Sequence, residues 1–383
     1  MKDVYINDIA VALPGEPVGN DEMESVLGMI NETPSKIRNK ILKHNGIETR
    51  YYAVNKDTGE MTHTNAELTA QAIKGLEPYS GFSASDIECL CCGSTVPDVT
   101  APGHGLMVHG ELKSKPCEVI STAGICLSGI SALKFGYMNV ASGFSKNAVT
   151  TGSEIASSIL RSSFFKHKET NGNKDIDKNP ELIFDAEFLR WMLSDAAGAV
   201  YMSNEQNAGG LSLKVDWIDH VSFASDYDTC MYSGGRKNKE GKMVGFRQTG
   251  SLEEAVENDF FALKQDTRLL GDNIVNMAVH RHLKVVVEKK GLKADEIDWF
   301  LPHFSSHFFK EPLYKGMKEI GFHVPYEKWF TNLSTKGNTG SASIYVMLEE
   351  LFKSGNLKKG QKVLCFIPES GRFSNAYMLL DAV

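Results

Sequence analysis

The chain has 383 residues, 42% hydrophobic and 23% charged, with a net charge of −7. This is ordinary globular composition, with apolar material for a large core in two domains or in one domain of two related halves. The acidic balance disfavours a nucleic-acid partner, while a local basic patch can still receive an acidic protein.

The N-terminal run from Met1 to Gly15 reads as a strand entering a turn and lacks the apolar stretch of a signal peptide. No run approaches the length of a membrane span, so a cytoplasmic protein is expected. Lys36, Arg38, Lys40 and Lys43 form a basic stretch. It reads either as a docking surface for an acidic carrier or as a solvated helix face. Apolar spacing from Ala66 to Leu76 predicts a helix. The segment Gly81 to Glu88 then runs into Cys89, Leu90, Cys91 and Cys92, a predicted strand. The seven cysteines, in a chain without a signal, argue against a disulfide framework. Cys89, Cys91 and Cys92 read as buried strand residues, because no second Cys/His cluster with zinc spacing follows.

Cys126 follows the small residues Ser121 to Gly124. It opens a predicted helix with Ile130, Leu133, Tyr137 and Val140 at helical spacing. A thiol there is expected to have a depressed pKa, and the free N–H groups of the helix start can hold an oxyanion. From this pattern alone an inert buried cysteine is the commoner reading. Ala148 to Thr151 predict the next strand, and residues 161–183 read as a surface insertion.

The same order then recurs. Val275 to Val287 carry helical spacing, and Gly291 to Asp298 lead into the predicted strand Trp299–Leu301, as Gly81 to Glu88 did before Cys89. His280 and His282 read as solvated. His303 follows the strand, where site residues of α/β folds gather. A metal pair with His307 lacks a third ligand. Asn338 opens a predicted helix with Ile344, Met347, Leu348 and Leu351, and Gly355 lies as far beyond Asn338 as Gly143 lies beyond Cys126. Val363 to Phe366 predict a closing strand. A duplicated α/β frame follows, with halves at 1–203 and 204–383 and a second surface insertion at 228–250.

Cys126, His303 and Asn338 in this order resemble the β-ketoacyl synthase III family. Gly46-Ile47-Glu48-Thr49-Arg50, Pro97-Asp98, Pro102 and Ser194-Asp195-Ala196-Ala197-Gly198 match further family motifs. The resemblance covers nearly the whole chain. It implies an α/β thiolase-like fold, with duplicated αβαβα layers and two mixed sheets. It implies a homodimer acting on acyl thioesters of acyl carrier protein, coenzyme A or both, with no cofactor and no metal. Cys126 would be the nucleophile, the N–H groups of Cys126 and Gly371 the oxyanion hole, and His303 with Asn338 the donors to the second thioester's carbonyl. Ala101 would reach across the dimer and close the partner's acyl pocket. A residue that small there implies a medium-length acyl primer.

Several positions depart from the family pattern. Phe304-Ser305-Ser306 replaces Gln-Ala-Asn after the histidine. Lys40 and His44 stand where coenzyme A-using members carry Trp and Arg, which favours a carrier-protein substrate. The C-terminal glycine run is reduced to Gly371. These features resemble secondary-metabolism members, and the whole chain is similar to the DarB-type ketosynthases of dialkylresorcinol pathways. Those couple a 3-oxoacyl thioester to an activated acyl group and lead to a cyclic dione. The alternatives are a housekeeping fatty-acid initiation synthase and a non-catalytic partner subunit, although such partners commonly lose the nucleophile. A thiolase is disfavoured because Cys365 lies in a strand. A hydroxymethylglutaryl synthase is disfavoured because no catalytic glutamate is evident near Pro97. An elongating ketosynthase would have a second histidine where Asn338 stands.

Overall fold

The computed structural model describes residues 1–169 and 187–383. Of the expected insertion at 161–183, residues 170–183 lie outside the described residues. Nine strands form the main sheet: β1 (Tyr5–Ala12), β2 (Cys89–Gly93), β3 (Glu118–Thr122), β4 (Asn147–Glu154), β5 (Ala196–Ser203), β6 (Leu213–Ser222), β7 (Trp299–Pro302), β8 (Lys362–Glu369) and β9 (Ser374–Ala382). Their spatial order is β7-β8-β9-β6-β1-β5-β4-β2-β3.

Outward from β1 the order is β1-β5-β4-β2-β3, and outward from β6 it is β6-β9-β8-β7. A parallel bridge from Phe300 to Trp329 stands where a fifth strand of the second half would lie. The β2–β4 pair is parallel and β4–β5 antiparallel, as β7–β8 is parallel and β8–β9 antiparallel. Each half is thus a mixed sheet with one pattern. The two expected sheets differ from the structure in one respect: they are continuous through Tyr5–Lys214 and Ile6–Leu213. Each innermost strand would otherwise leave backbone polar groups unpaired, and strand twist then limits the contact to a short stretch.

The helices that position the site are α1 (Arg38–Asn45), α2 (Asn65–Lys74), α3 (His104–Leu112), α4 (Leu127–Ser142), α5 (Thr267–Val275), α6 (Lys284–Lys290), α7 (Lys310–Glu319) and α8 (Ser343–Lys353). The helices α4 and α8 are central, and each touches strands of both halves. Ile130, Leu133 and Val140 of α4 share one core cluster with Ile344, Met347, Leu348 and Leu351 of α8. Their starts cross closely. A Cβ at Gly129 or Gly152 would overlap the Ser341 carbonyl, so only glycine permits the approach. Tyr345 Oη donates to the Gly129 carbonyl at 2.9 Å and locks the crossing.

Two expectations change here. His282 is not solvated. It is 3% exposed, and Asp219 at 3.1 Å and Asn375 at 2.9 Å satisfy its ring. A π-helical stretch, Asn276–Leu283, between α5 and α6 breaks the regular spacing from which an exposed face was read. The second insertion is only partly superficial. Its hairpin, Gly235–Lys237 with Met243–Gly245, lies outside, but Cys230 and Met231 donate backbone N–H groups to Gly371 O at 2.7 and 3.2 Å.

Candidate active site

The turn before α4 places Cys126. Gly124 (φ 146°) and Ile125 (φ 52°) reverse the chain, and Cys126 becomes the N-cap residue. A positive φ at β-branched Ile125 is strained, and such strain gathers at functional sites. Cys126 opens on a cavity of about 990 Å3, solvent at its mouth included. Glu154, His303, Asn338 and Ser370 line the same cavity. Its remaining wall is mostly apolar, with Ile159, Leu189, Leu270, Ile274, Phe309 and Leu313.

The expected depression of the Cys126 pKa is not what the site imposes. Burial pushes the thiol well above its ordinary value, and the carboxylates of Glu369 and Glu154 push it the same way. The helix start cannot offset lost hydration and two nearby anionic groups. His303 directly follows β7, and its backbone N–H donates to Phe366 O at 2.8 Å. Burial lowers its ring pKa to about 4, so the imidazole is a neutral donor through the neutral pH range.

Asn338 precedes a short 3-10 turn, Gly340–Ala342, and the helix proper begins only at Ser343. Its Oδ1 accepts the Gly340 N–H at 3.0 Å, which leaves the side-chain NH2 as the available donor. Its backbone is held on both sides, N–H to Met192 O at 3.0 Å and carbonyl from Ser194 N–H at 2.8 Å.

Gly371 does not line this cavity. Its N–H donates to the Glu369 carboxylate, which also accepts from Arg372 N at 3.3 Å and Ser374 N at 3.1 Å. A Cβ on Gly371 would come within 2.8 Å of Ile125 Cγ1, so the residue lies behind Ile125. Ser370, one residue earlier, lines the same cavity as Cys126. Ala101 is exposed on the single chain and lines no part of the cavity.

Lys36, Lys40 and Lys43 are exposed, while Arg38 is tied to Glu24 at 2.6 Å. Lys40 and His44 line a second cavity of about 800 Å3 with Phe188, Met192 and Phe308. Leu270 and Phe309 line both cavities, so the two adjoin. His307 bonds Ser334 Oγ at 3.0 Å. Among the described residues no group of three His, Cys, Asp or Glu side chains could hold a metal ion, and no helix is long and apolar enough to cross a membrane.

Residues 287–371 match the family described as 3-oxoacyl-[acyl-carrier-protein] synthase III C terminal, a segment that holds His303 and Asn338. Over 368 residues the chain is 26% identical to a β-ketoacyl-[acyl-carrier-protein] synthase III of Clostridium perfringens, covering 95% of each. It is 23% identical to one from Rhizobium meliloti over 360 residues, 94% of this chain and 93% of the relative. Over nearly its whole length the chain is thus similar to condensing enzymes of the ketosynthase III type. Its fold is the thiolase-like α/β fold. The 3-oxoacyl-[acyl-carrier-protein] synthase III of Aquifex aeolicus superposes with a TM-score of 0.69 at 19% identity, covering 99% of both chains. OleA of Xanthomonas campestris gives 0.74 at 18%, covering 99% of this chain and 98% of the other.

In this chain two matched motifs prove architectural. Asp98 caps the start of α2, accepting from Asn65 N at 2.6 Å and Ala66 N at 2.9 Å. Asp195 accepts from Ala53 N at 2.7 Å and Ser157 N at 2.9 Å. Sequence reasoning missed Glu154. It ends β4 with its carboxylate on Thr95 N at 2.9 Å and Val96 N at 3.2 Å, and burial raises its pKa to about 7. A small-residue strand ending in a lone acid, Gly152-Ser153-Glu154, is the signal that was available. The absence of a glutamate near Pro97 held for the sequence but not in space.

Proposed function

We propose that this ketosynthase carries a medium-length acyl group on Cys126 and joins it to a second thioester by Claisen-type condensation. The observation that carries the reading is that Cys126, His303 and Asn338 open on one cavity whose remaining wall is largely apolar. The Cys126 sulfur attacks the first thioester, the carrier thiol leaves with the proton, and an acyl-Cys126 thioester remains. The Cys126 N–H and the Ser370 N–H would hold the carbonyl oxygen, Ser370 replacing Gly371 because the Gly371 amide is occupied. The second thioester's carbonyl would rest on His303 and Asn338. Its α-carbon then attacks the acyl-Cys126 carbonyl, the carbon–carbon bond forms, the carbon–sulfur bond breaks, and the Cys126 sulfur leaves.

A malonyl partner would release carbon dioxide to form the carbanion, whereas a 3-oxoacyl partner would have to lose an α-proton. Glu154 favours the 3-oxoacyl partner, and with it a secondary pathway such as dialkylresorcinol or cyclohexanedione formation. It is a carboxylate in the cavity with a pKa of about 7, suited to accept a proton near neutrality. Housekeeping initiation with acetyl would leave the apolar wall uncovered, and a silent partner subunit would have no use for the retained Cys–His–Asn set. We place carrier entry at the Lys40 and His44 side, where the second cavity adjoins the first. The enzyme would work as a homodimer. The test is intact mass after incubation with octanoyl thioester. One acyl group should add to the wild type and to Cys117→Ala, and none to Cys126→Ala. An adduct that survives on Cys126→Ala overturns the reading.

A further inference from the structure

The motif Gly46 to Arg50 matches the family, yet none of its residues lines the catalytic cavity. Arg50 is entirely buried. Its Nε and Nη2 donate to the Trp191 carbonyl at 3.2 and 2.6 Å, and its Nη1 donates to Asn20 Oδ1 at 2.6 Å. Asn45 Nδ2 donates to the same Trp191 carbonyl at 3.0 Å. Among the described residues Arg50 makes no ion pair. A buried guanidinium without a carboxylate is costly, and the stem of a core contact does not require one.

The Trp191 carbonyl begins a strap that runs beside Asn338. Met192 O accepts the Asn338 N–H at 3.0 Å, and Ser194 N–H donates back to Asn338 O at 2.8 Å. The same motif grips the segment that leads into Asn338 from the other side. Glu48 N–H donates to Ser334 O at 2.8 Å, and Thr49 Oγ1 donates to Thr335 O at 2.7 Å. Between the two grips Gly337 (φ 70°) has no space for a side chain: a Cβ would meet Ser194 Cβ at 2.8 Å and Arg50 Cγ at 2.9 Å. Both backbone segments that fix Asn338 are therefore tied to one motif.

We propose that Arg50 is a positioning residue, which holds the Trp191 carbonyl and through the strap sets the Asn338 side chain for the condensation step. The inference rests on the reading that Asn338 binds the second thioester and not the first. Arg50→Lys keeps the charge but replaces a two-pronged donor with a single ammonium. Acylation of Cys126, read by intact mass, should stay close to the wild-type rate. The kcat for condensation should fall roughly 10–100-fold, as small misplacements of catalytic groups do, with KM for the first thioester unchanged. Thr49→Val, which removes one grip without changing shape, should give a smaller loss of the same kind. Condensation at the wild-type rate in folded Arg50→Lys, or equal losses in both half-reactions, overturns the inference. If Arg50→Lys does not fold by circular dichroism, Thr49→Val decides: selective loss of condensation supports the clamp and an unchanged rate overturns it. Wild-type protein that fails to acylate sinks the functional reading and the inference with it, so the wild-type control tells the two failures apart.

Discussion

Cys126 sits within the influence of two buried carboxylates, Glu154 and Glu369, each with a pKa raised to about 7 by burial. Near neutral pH each is partly ionised, and each opposes the thiolate. The resting enzyme therefore holds a neutral thiol. Glu369→Gln removes one negative charge from beside the sulfur and should speed alkylation of Cys126 by iodoacetamide at pH 8. A rate that does not rise would remove Glu369 as a cause of the raised thiol pKa. In the proposed mechanism the neutral donors act later. His303→Ala and Asn338→Ala should still take an acyl group on Cys126, because in that mechanism backbone N–H groups hold the first oxyanion. Condensation should fall roughly 10²–10³-fold, the usual cost of one lost donor. Wild-type condensation in either variant would refute that side chain's role. At this scale the placing of Cys126, His303 and Asn338 was legible because each has a local pattern: a small-residue turn, a strand end, the start of a helical apolar spacing. Glu154 and the raised thiol pKa were not legible, because both depend on burial by elements distant in sequence.

The apolar wall of the cavity is built by elements as much as by residues. Leu270 and Ile274 come from α5, Leu313 comes from α7, and Leu189 stands close before the Trp191 strap. All lie on the same chain as Cys126. Ala101, the residue implied by resemblance to close the pocket, is exposed on this chain and can act only in a partner subunit. The two locations make different predictions. Leu313 is 3% exposed, and Leu313→Phe would fill the chamber at a packing cost of about 1–3 kcal/mol. It should shift the preferred acyl-Cys126 adduct toward shorter chains in competition among hexanoyl, octanoyl and decanoyl carriers. Ala101→Phe should do so only if the acyl tail runs toward the dimer partner. A shift with Ala101→Phe and none with Leu313→Phe would place the tail across the subunit boundary. The helices α4 and α8 were readable from apolar spacing, and both end at left-handed glycines, Gly143 (φ 83°) and Gly355 (φ 71°). The strap beside Asn338 was not readable. Its hydrogen bonds to distant residues go to Arg50, Asn45, Tyr51 and Asn338, and nothing local in Trp191 to Ser194 announces those partners.

Across the whole molecule, buried ionisable groups pull stability in opposite directions with pH. Burial raises Glu154 and Glu369 from 4.5 to about 7 and Asp195 from 3.8 to about 6. Between those limits the folded state binds more protons than the unfolded one, so stability falls as pH rises. Burial lowers His104 and His303 from 6.5 to about 4. There the unfolded state binds more protons, so stability rises with pH. The two sets largely offset each other between about pH 4.5 and 6. Above about pH 7 the histidines are mostly neutral in both states, and of these five groups chiefly the two glutamates still titrate, so stability should decline between about pH 7 and 8. Glu154→Gln isolates one contribution. The amide loses some acceptor capacity toward Thr95 and Val96 at every pH, a constant penalty. The variant no longer has to ionise inside the protein, so relative to wild type it should gain stability from pH 5 to pH 8. The gain is bounded by about 3 kcal/mol, since each pKa unit is worth about 1.4 kcal/mol. Urea midpoints at the two pH values, at one protein concentration so that any subunit association is held constant, measure it. A wild-type-to-variant difference that is the same at pH 5 and pH 8 would mean that Glu154 is already ionised throughout, and would remove it as the proton acceptor poised near neutrality.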